Sequence, residues 1–192
     1  MRKKLNIPKT REEKIWDIIG VGSYVATVIF LIIIWKQLPE QVPLHMDLTG
    51  KVDDWAAKES MLVLPAISII MFILLHILEK FPHVYNYPKR LNDKNAAAFY
   101  RVNRKMLNKL KNLIILVFCI IDVEFSLIAL GWIDDGHAWT FIIILLAVFY
   151  PIVEGIIKQR FLACRGVLAK LKAIPCNHSS LEKHKSFSSM PI

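Results

Sequence analysis

Four long apolar runs limit what this chain can fold into more than any other feature. They hold 21, 19, 21 and 19 residues and cover 15–35, 61–79, 112–132 and 139–157. A helix needs roughly 20 residues to cross the hydrocarbon core of a bilayer. A helix also satisfies its own backbone hydrogen bonds, which lipid cannot do. The sequence therefore predicts an all-α integral membrane protein, with a four-helix membrane domain at 15–157.

The basic residues are distributed unevenly between the two sides of these runs. Twenty-two of the 25 Lys and Arg residues lie before the first run, between the second and third, or after the fourth. The positive-inside rule then predicts a multi-pass protein of the plasma membrane, with both termini in the cytoplasm and 1–14 as a cytoplasmic basic tail. Because the charges flank membrane spans, we expect anionic lipid headgroups as partners and no nucleic acid.

The segment 38–58 is a polar island between the first two runs, and the same rule places it outside the cell. Pro39 and Pro43 disfavour helix at the residues before them, and Gly50 lies in a turn sequence. This composition predicts an ordered extracellular loop at 38–59, which we call the cap.

The second half of the cap reads as a short helix. Residues 52–59 contain Asp53, a plausible N-cap or first-turn acid. Trp55 is expected to pack onto the membrane surface, and Lys58 closes the segment. This is the only part of the cap predicted to be helical.

Acidic residues and a histidine in the cap raise the question of a cation. His45, Asp47, Asp53 and Asp54 fit no standard spacing for zinc or calcium ligands. We expect His45 and Asp47 to tie the loop to its turn by hydrogen bonds. We predict no metal site and no cofactor.

Two carboxylates lie within the third run. Asp122 and Glu124 are about 200° apart on a helix, so they cannot face one partner. Asp122 shares a small, polar face with Cys119 and Ser126 and is expected to point into the bundle. Glu124 then points to another helix, a second subunit or the outer interface. Ionisable groups at this depth are either functional or hydrogen-bonded structural carboxyls.

Three more ionisable residues lie near the predicted cytoplasmic ends of the spans: Asp17, His76 and Glu154. Each has a separate explanation. Asp17 suits a helix N-terminus, and Glu154 can pair with Lys158 four residues later. The alternative is that all three meet in one polar cluster.

Two basic amphipathic helices are predicted beside the spans. In the helix predicted over 93–111, apolar residues lie opposite a basic face. This helix is expected to lie along the cytoplasmic leaflet. That face consists of Arg101, Arg104, Lys105, Lys109 and Lys111. Residues 158–174 repeat the pattern, and the composition of 175–192 predicts a disordered tail.

The cap resembles the motif of the bacterial domain-of-unknown-function 1648 family, the amino-terminal domain type of SdpI-like immunity proteins. That motif is carried here by Leu38, Pro39, Val42, Pro43, His45, Gly50, Asp53, Trp55 and Lys58, and 86–88, Asn95 and Tyr100 are also similar. The resemblance implies a Gram-positive source and a role in immunity to a secreted peptide or in signalling. SdpI-like proteins carry an additional membrane region after this domain.

Taken together, these observations favour a non-enzymatic accessory, immunity or sensing protein that recognises an extracellular peptide or envelope component through the cap. No H-E-x-x-H, Ser–His or phosphate-loop pattern occurs. The alternative is a small proton-coupled transporter that uses Asp122 and Glu124, as a monomer, a homodimer or with a partner membrane protein.

Overall fold

The computed structural model describes residues 4–87 and 91–172, without the side chains of 163–172. It is mostly helical. Its helices are α1 Arg11–Ile34, α2 Val63–Glu79, α3 Ala96–Ala129 and α4 Ala138–Lys172. By length and composition, all four are able to cross a membrane, α2 together with the 3-10 turn before it (Lys58–Glu79). This finding confirms the prediction of four helices that could span a membrane. The predicted tail at 175–192 lies outside the described residues.

The loop between α1 and α2 is ordered and folds into a β-hairpin. Strand β1 covers Gln41–Met46 and strand β2 covers Val52–Ala57. They pair antiparallel, with Pro43 opposite Trp55. The short helix predicted over 52–59 is therefore wrong, and the fold is not all-α. Val and Trp favour strands, and pairing with β1 outweighs the weak local helix signal. A 3-10 turn, Lys58–Leu62, then leads into α2.

Helix α1 begins at Arg11, four residues before the predicted span. The Thr10 hydroxyl accepts from the Glu13 amide at 3.4 Å, and the Thr10 amide donates to Glu13 Oε2 at 2.6 Å. This capping box satisfies amides that the first turn leaves unpaired. The last residues of the predicted tail 1–14 are thus helical.

Helix α3 is the centre of the bundle. Every extensive helix–helix contact includes α3, and it is the most buried of the four helices. Glycines on its neighbours allow close approach. A Cβ at Gly20 would overlap the side chain of Asn112, and one at Gly155 would overlap Met106. The outer helices direct isoleucines and leucines such as Ile18 and Ile32 away from the bundle, as lipid-facing surfaces do.

The two predicted amphipathic segments are not separate helices. The described part of the second, 158–172, continues α4, and 96–111 is the first part of α3, which is 34 residues and about 51 Å long. Residues 92–95 form a turn instead, in which the Asn92 side chain accepts from the Asn95 amide at 3.1 Å. No helix-breaking residue stands at 111–112 or 157–158, so the change from polar to apolar composition leaves the backbone unbroken.

Candidate functional site

The tip of the hairpin is organised by one carboxylate. Asp47 Oδ1 accepts from the amide and hydroxyl of Thr49, at 2.8 and 2.6 Å, and from the Lys51 amide at 3.1 Å. The Thr49 hydroxyl contributes most to lowering the pKa of the Asp47 carboxyl. Asp47 therefore ties the loop to its turn, as predicted.

Gly50 fixes this tip to the loop between α3 and α4. Its φ of +94° is a conformation that glycine adopts readily. The Gly136 amide donates to the Gly50 carbonyl at 2.8 Å, and a Cβ at Gly50 would overlap the Gly136 carbonyl. The hairpin and this loop thus form one surface.

The inner face of the hairpin is part of the protein core. Val42, Pro43 and Met46 are buried, and Val42 and Met46 belong to a cluster with Leu31 and Phe125. Register shifts interrupt the strand alternation of β1 between Pro43 and Met46, and Val42 and Met46 pack against the ends of α1 and α3. Packing of this kind holds the hairpin in one orientation on the bundle.

The exposed part of the hairpin carries His45, Asp53 and Trp55 of the predicted cap residues. His45 Nδ1 lies 2.6 Å from Asp53 Oδ1, so Asp53 pairs across the hairpin and does not cap a helix. Lys58 Nζ lies 2.8 Å from Glu40 Oε1 at the base of the hairpin. Trp55 and Leu44 are about half exposed, at 50% and 46%.

Pro39 is exposed between α1 and β1. The described residues contain no group of three or more His, Cys, Asp or Glu side chains placed to hold a metal. What the cap offers chemically is a fixed surface with an aromatic ring, an aliphatic side chain, the His45–Asp53 pair and the Lys58–Glu40 ion pair.

Asp122 points into the bundle, as predicted. It is 1% exposed, and neither carboxylate oxygen has a hydrogen-bond partner among the described residues. Its surroundings include Tyr24, Thr27 and Ser68, from α1 and α2. Asp122 is therefore a buried acid. Within the described structure, its carboxylate forms no ion pair and accepts no hydrogen bond.

Glu124 points elsewhere, toward the start of α4. Its Oε1 accepts from the His137 amide at 2.7 Å, and its Oε2 accepts from the Thr140 hydroxyl at 2.9 Å. The two carboxylates thus point to different surroundings, as their spacing predicts. Glu124 also borders a cavity of about 420 Å³ whose lining includes Thr27 of α1 and Trp139 of α4.

At the opposite end of the bundle, charged and amide side chains from three helices and the segment before α1 meet in what we call the charged cluster: Lys9, Asp17, Glu79, Asn108, Lys111 and Asn112. Lys111 Nζ lies 2.8 Å from both Asp17 Oδ1 and Glu79 Oε2, and Lys9 Nζ lies 2.8 Å from both acids as well. Burial disfavours the Lys9 ammonium, but the hydrogen bonds to Asp17 and Glu79 outweigh it and raise the pKa of Lys9.

The predicted meeting of Asp17, His76 and Glu154 forms only in part. His76 Nδ1 lies 4.0 Å from Glu79, beside the charged cluster. Glu154 instead contacts Lys109 at 2.8 Å and pairs with Lys158, the partner expected from their spacing. None of the contacts described joins Glu154 to Asp17 or His76.

Sequence reasoning missed most members of this end of the bundle. The basic face predicted to meet lipid headgroups is partly turned inward: Arg104, Lys109 and Lys111 are buried. Arg104 Nε pairs with Glu13 Oε1 at 2.7 Å. A signal existed in the spacing of Asn108, Lys111 and Asn112, which share one helix face, and in the acids near the start of the first span.

Comparison with known proteins finds one similarity. Residues 23–69 match the model of the family described as Domain of unknown function (DUF1648). The match begins in α1, includes the whole hairpin and ends in α2. Neither the curated proteins nor the solved structures include a match. The match to residues 23–69 supports membership of the DUF1648 family and confirms the resemblance expected from the cap.

Proposed function

We propose that this chain is a non-enzymatic membrane protein of the accessory, immunity or sensing type. In this proposal it lies in the plasma membrane with both termini in the cytoplasm, and the outer face of its hairpin recognises an extracellular peptide or envelope component. The observation that supports this proposal is a contrast in burial between the residues of the hairpin. Val42 and Met46 are buried against the bundle, whereas Trp55, Leu44 and the His45–Asp53 pair are exposed.

This contrast favours binding because the surface is preorganised. The core packing of β1 and the hydrogen bond from Gly136 to Gly50 hold the hairpin in place, so a ligand need not order it. Exposed aromatic side chains often provide the largest contributions at such surfaces. The His45–Asp53 pair adds polar groups of both kinds at the edge of the apolar contact.

The proposed orientation rests on the distribution of Lys and Arg. The orientation is tested with two single-cysteine variants, Lys51→Cys at the hairpin and Lys14→Cys near the start of α1. Each is made in a background without other cysteines, Cys119→Ser, Cys164→Ser, Cys176→Ser. A membrane-impermeant thiol reagent is expected to label the Lys51→Cys variant in intact cells and the Lys14→Cys variant only after lysis. The reverse pattern would reject the orientation.

The recognition proposal is tested by challenging cells that express the full chain with candidate secreted peptides. Expression should protect the cells, and Trp55→Ala or Asp53→Asn should remove the protection at an unchanged protein level. Matched controls are Trp132→Ala, an exposed tryptophan in the α3–α4 loop, and Asp54→Asn, the neighbour of Asp53 on β2. Protection that survives both cap substitutions would reject recognition by this face.

A second candidate function is proton-coupled transport, and one observation favours it. Asp122 is buried with no hydrogen-bond donor on its carboxylate among the described residues, whereas Glu124 is held by His137 and Thr140. Of the two acids, Asp122 is therefore the one that takes no part in a hydrogen-bond network of the described residues. The transport function rests on Asp122 alone.

Proteoliposomes with an internal pH-sensitive dye test this candidate. A proton flux that Asp122→Asn abolishes and Glu124→Gln leaves in place would support it. Glu124→Gln is the matched control because it neutralises a carboxylate two residues away on the same helix. Absence of flux, or flux that Asp122→Asn does not change, would reject it.

A further inference from the structure

A large cavity lies at the end of the bundle opposite the hairpin. It has a volume of about 610 Å³, and its walls come from the segment before α1, the end of α2 and the first part of α3. Its lining includes Lys4, Lys9, Lys80 and Arg104, against the single acid Glu79. An excess of positive charge in a concave site attracts anions.

The wall formed by the N-terminal segment is held in place. The Arg104 guanidinium donates to the Ile7 carbonyl, to the Pro8 carbonyl at 2.9 Å, and to Glu13. This one side chain anchors the extended residues before α1 on α3. The cavity is therefore built by specific contacts.

The charges that line the cavity divide into satisfied and unsatisfied groups. Lys9 is paired with Asp17 and Glu79, and Arg104 is paired with Glu13. Lys4 and Lys80 are exposed, and neither has an ion pair within the described part of the chain. Two ammonium groups without an ion pair in the described structure thus face one cavity. The one carboxylate in its described lining, that of Glu79, is already paired with Lys9 and Lys111.

Exposed apolar residues lie close in sequence to Lys80 and Pro82 of the cavity lining. Lys4 Nζ lies 5.8 Å from the centre of the Phe81 ring, and Phe81 and Val84 are exposed, at 40% and 60%. These residues follow the last turn of α2, a helix long and apolar enough to span a membrane. Cations beside exposed apolar side chains at the end of such a helix match the two parts of a lipid, its headgroup and its chains.

We propose that this cavity binds the phosphate-bearing headgroup of an anionic glycerophospholipid, with Lys4 and Lys80 as its cationic ligands and Phe81 against the adjoining lipid. This site is independent of the proposed function of the cap, because it lies at the other end of the bundle. It differs from general attraction to a charged membrane in requiring two particular lysines.

The test uses the full chain, purified in a neutral detergent, and counts bound lipid by native mass spectrometry. Short-chain phosphatidylglycerol should bind in preference to phosphatidylcholine. The double variant Lys4→Gln, Lys80→Gln should weaken the binding of phosphatidylglycerol by about tenfold or more. The control, Lys14→Gln, Lys94→Gln, removes the same charge from two exposed lysines outside the lining and should leave binding unchanged.

Three results would overturn the proposal. One is equal binding of the two lipids by the unchanged chain, and another is an equal loss in the two double variants, which would indicate surface charge alone. The third comes from glycerol phosphate and inorganic phosphate as separate probes, because a free phosphate that binds as tightly as the lipid would make this a small-anion site. Thermal unfolding of both variants, with unchanged midpoints, ensures that a loss of binding is not a loss of fold.

Discussion

The paired side chains at the two ends of the bundle differ in their exposure to solvent. At the hairpin end the His45–Asp53 pair is exposed, with side chains 66% and 48% accessible. At the other end Lys111 and Glu79 pair at 0% and 1% accessible. Exposed charges remain available to a partner, whereas buried ones are used entirely within the protein. The comparison separates a surface suited to recognition from a cluster that joins helices.

The energetics of the two ends should differ accordingly. Exposed ion pairs contribute little because water screens them and long side chains lose entropy. A buried pair costs much to form, but removing one partner leaves an uncompensated charge in a poor solvent. The charged cluster should therefore govern stability, and the exposed face of the hairpin should be tolerant of substitution.

The largest expected effect is that of Lys111→Met. This change leaves Asp17 and Glu79 with Lys9 as their remaining cation in the charged cluster, and it should lower the free energy of unfolding by about 3–5 kcal/mol. The measurement is denaturant-induced unfolding in mixed micelles, followed by tryptophan fluorescence.

Lys105→Met is the matched control on the same helix. Lys105 pairs with Glu12 at 2.8 Å, but the two side chains are 28% and 39% exposed. The expected loss is about 0–1 kcal/mol. Equal losses in Lys105→Met and Lys111→Met would contradict the distinction between exposed and buried pairs.

An intermediate effect is expected where the hairpin meets the α3–α4 loop. Gly50 and Gly131 both have positive φ, but only at Gly50 would a Cβ overlap another backbone. Both alanine variants share the conformational cost, so Gly50→Ala should destabilise by about 1–3 kcal/mol more than Gly131→Ala. The same unfolding measurement applies, and equal costs would show that the hairpin does not depend on this close contact.

The smallest effect concerns pH at the hairpin tip. The pKa of Asp47 is lowered in the folded protein, so its contribution is present above the unfolded value, about 3.9, and is lost as pH falls through the folded value. Hydrogen-exchange protection of the Thr49 and Lys51 amides should be constant from pH 7 to 5 and decline below about pH 4. Asp47→Ala should abolish this decline, and an identical decline in the variant would assign it to another group.

Local signals in the sequence were enough to predict part of this molecule. Apolar length identifies the four helices, the spacing of Asp122 and Glu124 shows that they point in different directions, and Asp47 with Gly50 indicates the turn. The second strand of the hairpin could not be distinguished from a helix because 52–57 acquires its strand geometry from pairing with β1. The charged cluster depends on contacts such as Lys111–Asp17, 94 residues apart. Sequence shows these charges but not which faces meet.

The central position of α3 also bears on the order in which the chain is assembled. Glu13, Asp17 and Glu79 belong to α1 and α2, which are synthesised first, but Arg104 and Lys111 come later. Similarly, the hydrogen bond to the Gly50 carbonyl cannot form until Gly136, 86 residues further along the chain, has been synthesised. Until α3 is present, α1 and α2 lack the basic residues that pair with most of their buried acids. They also lack the helix against which both of them pack. We therefore expect α1 and α2 to reach their native arrangement only after α3 has been synthesised.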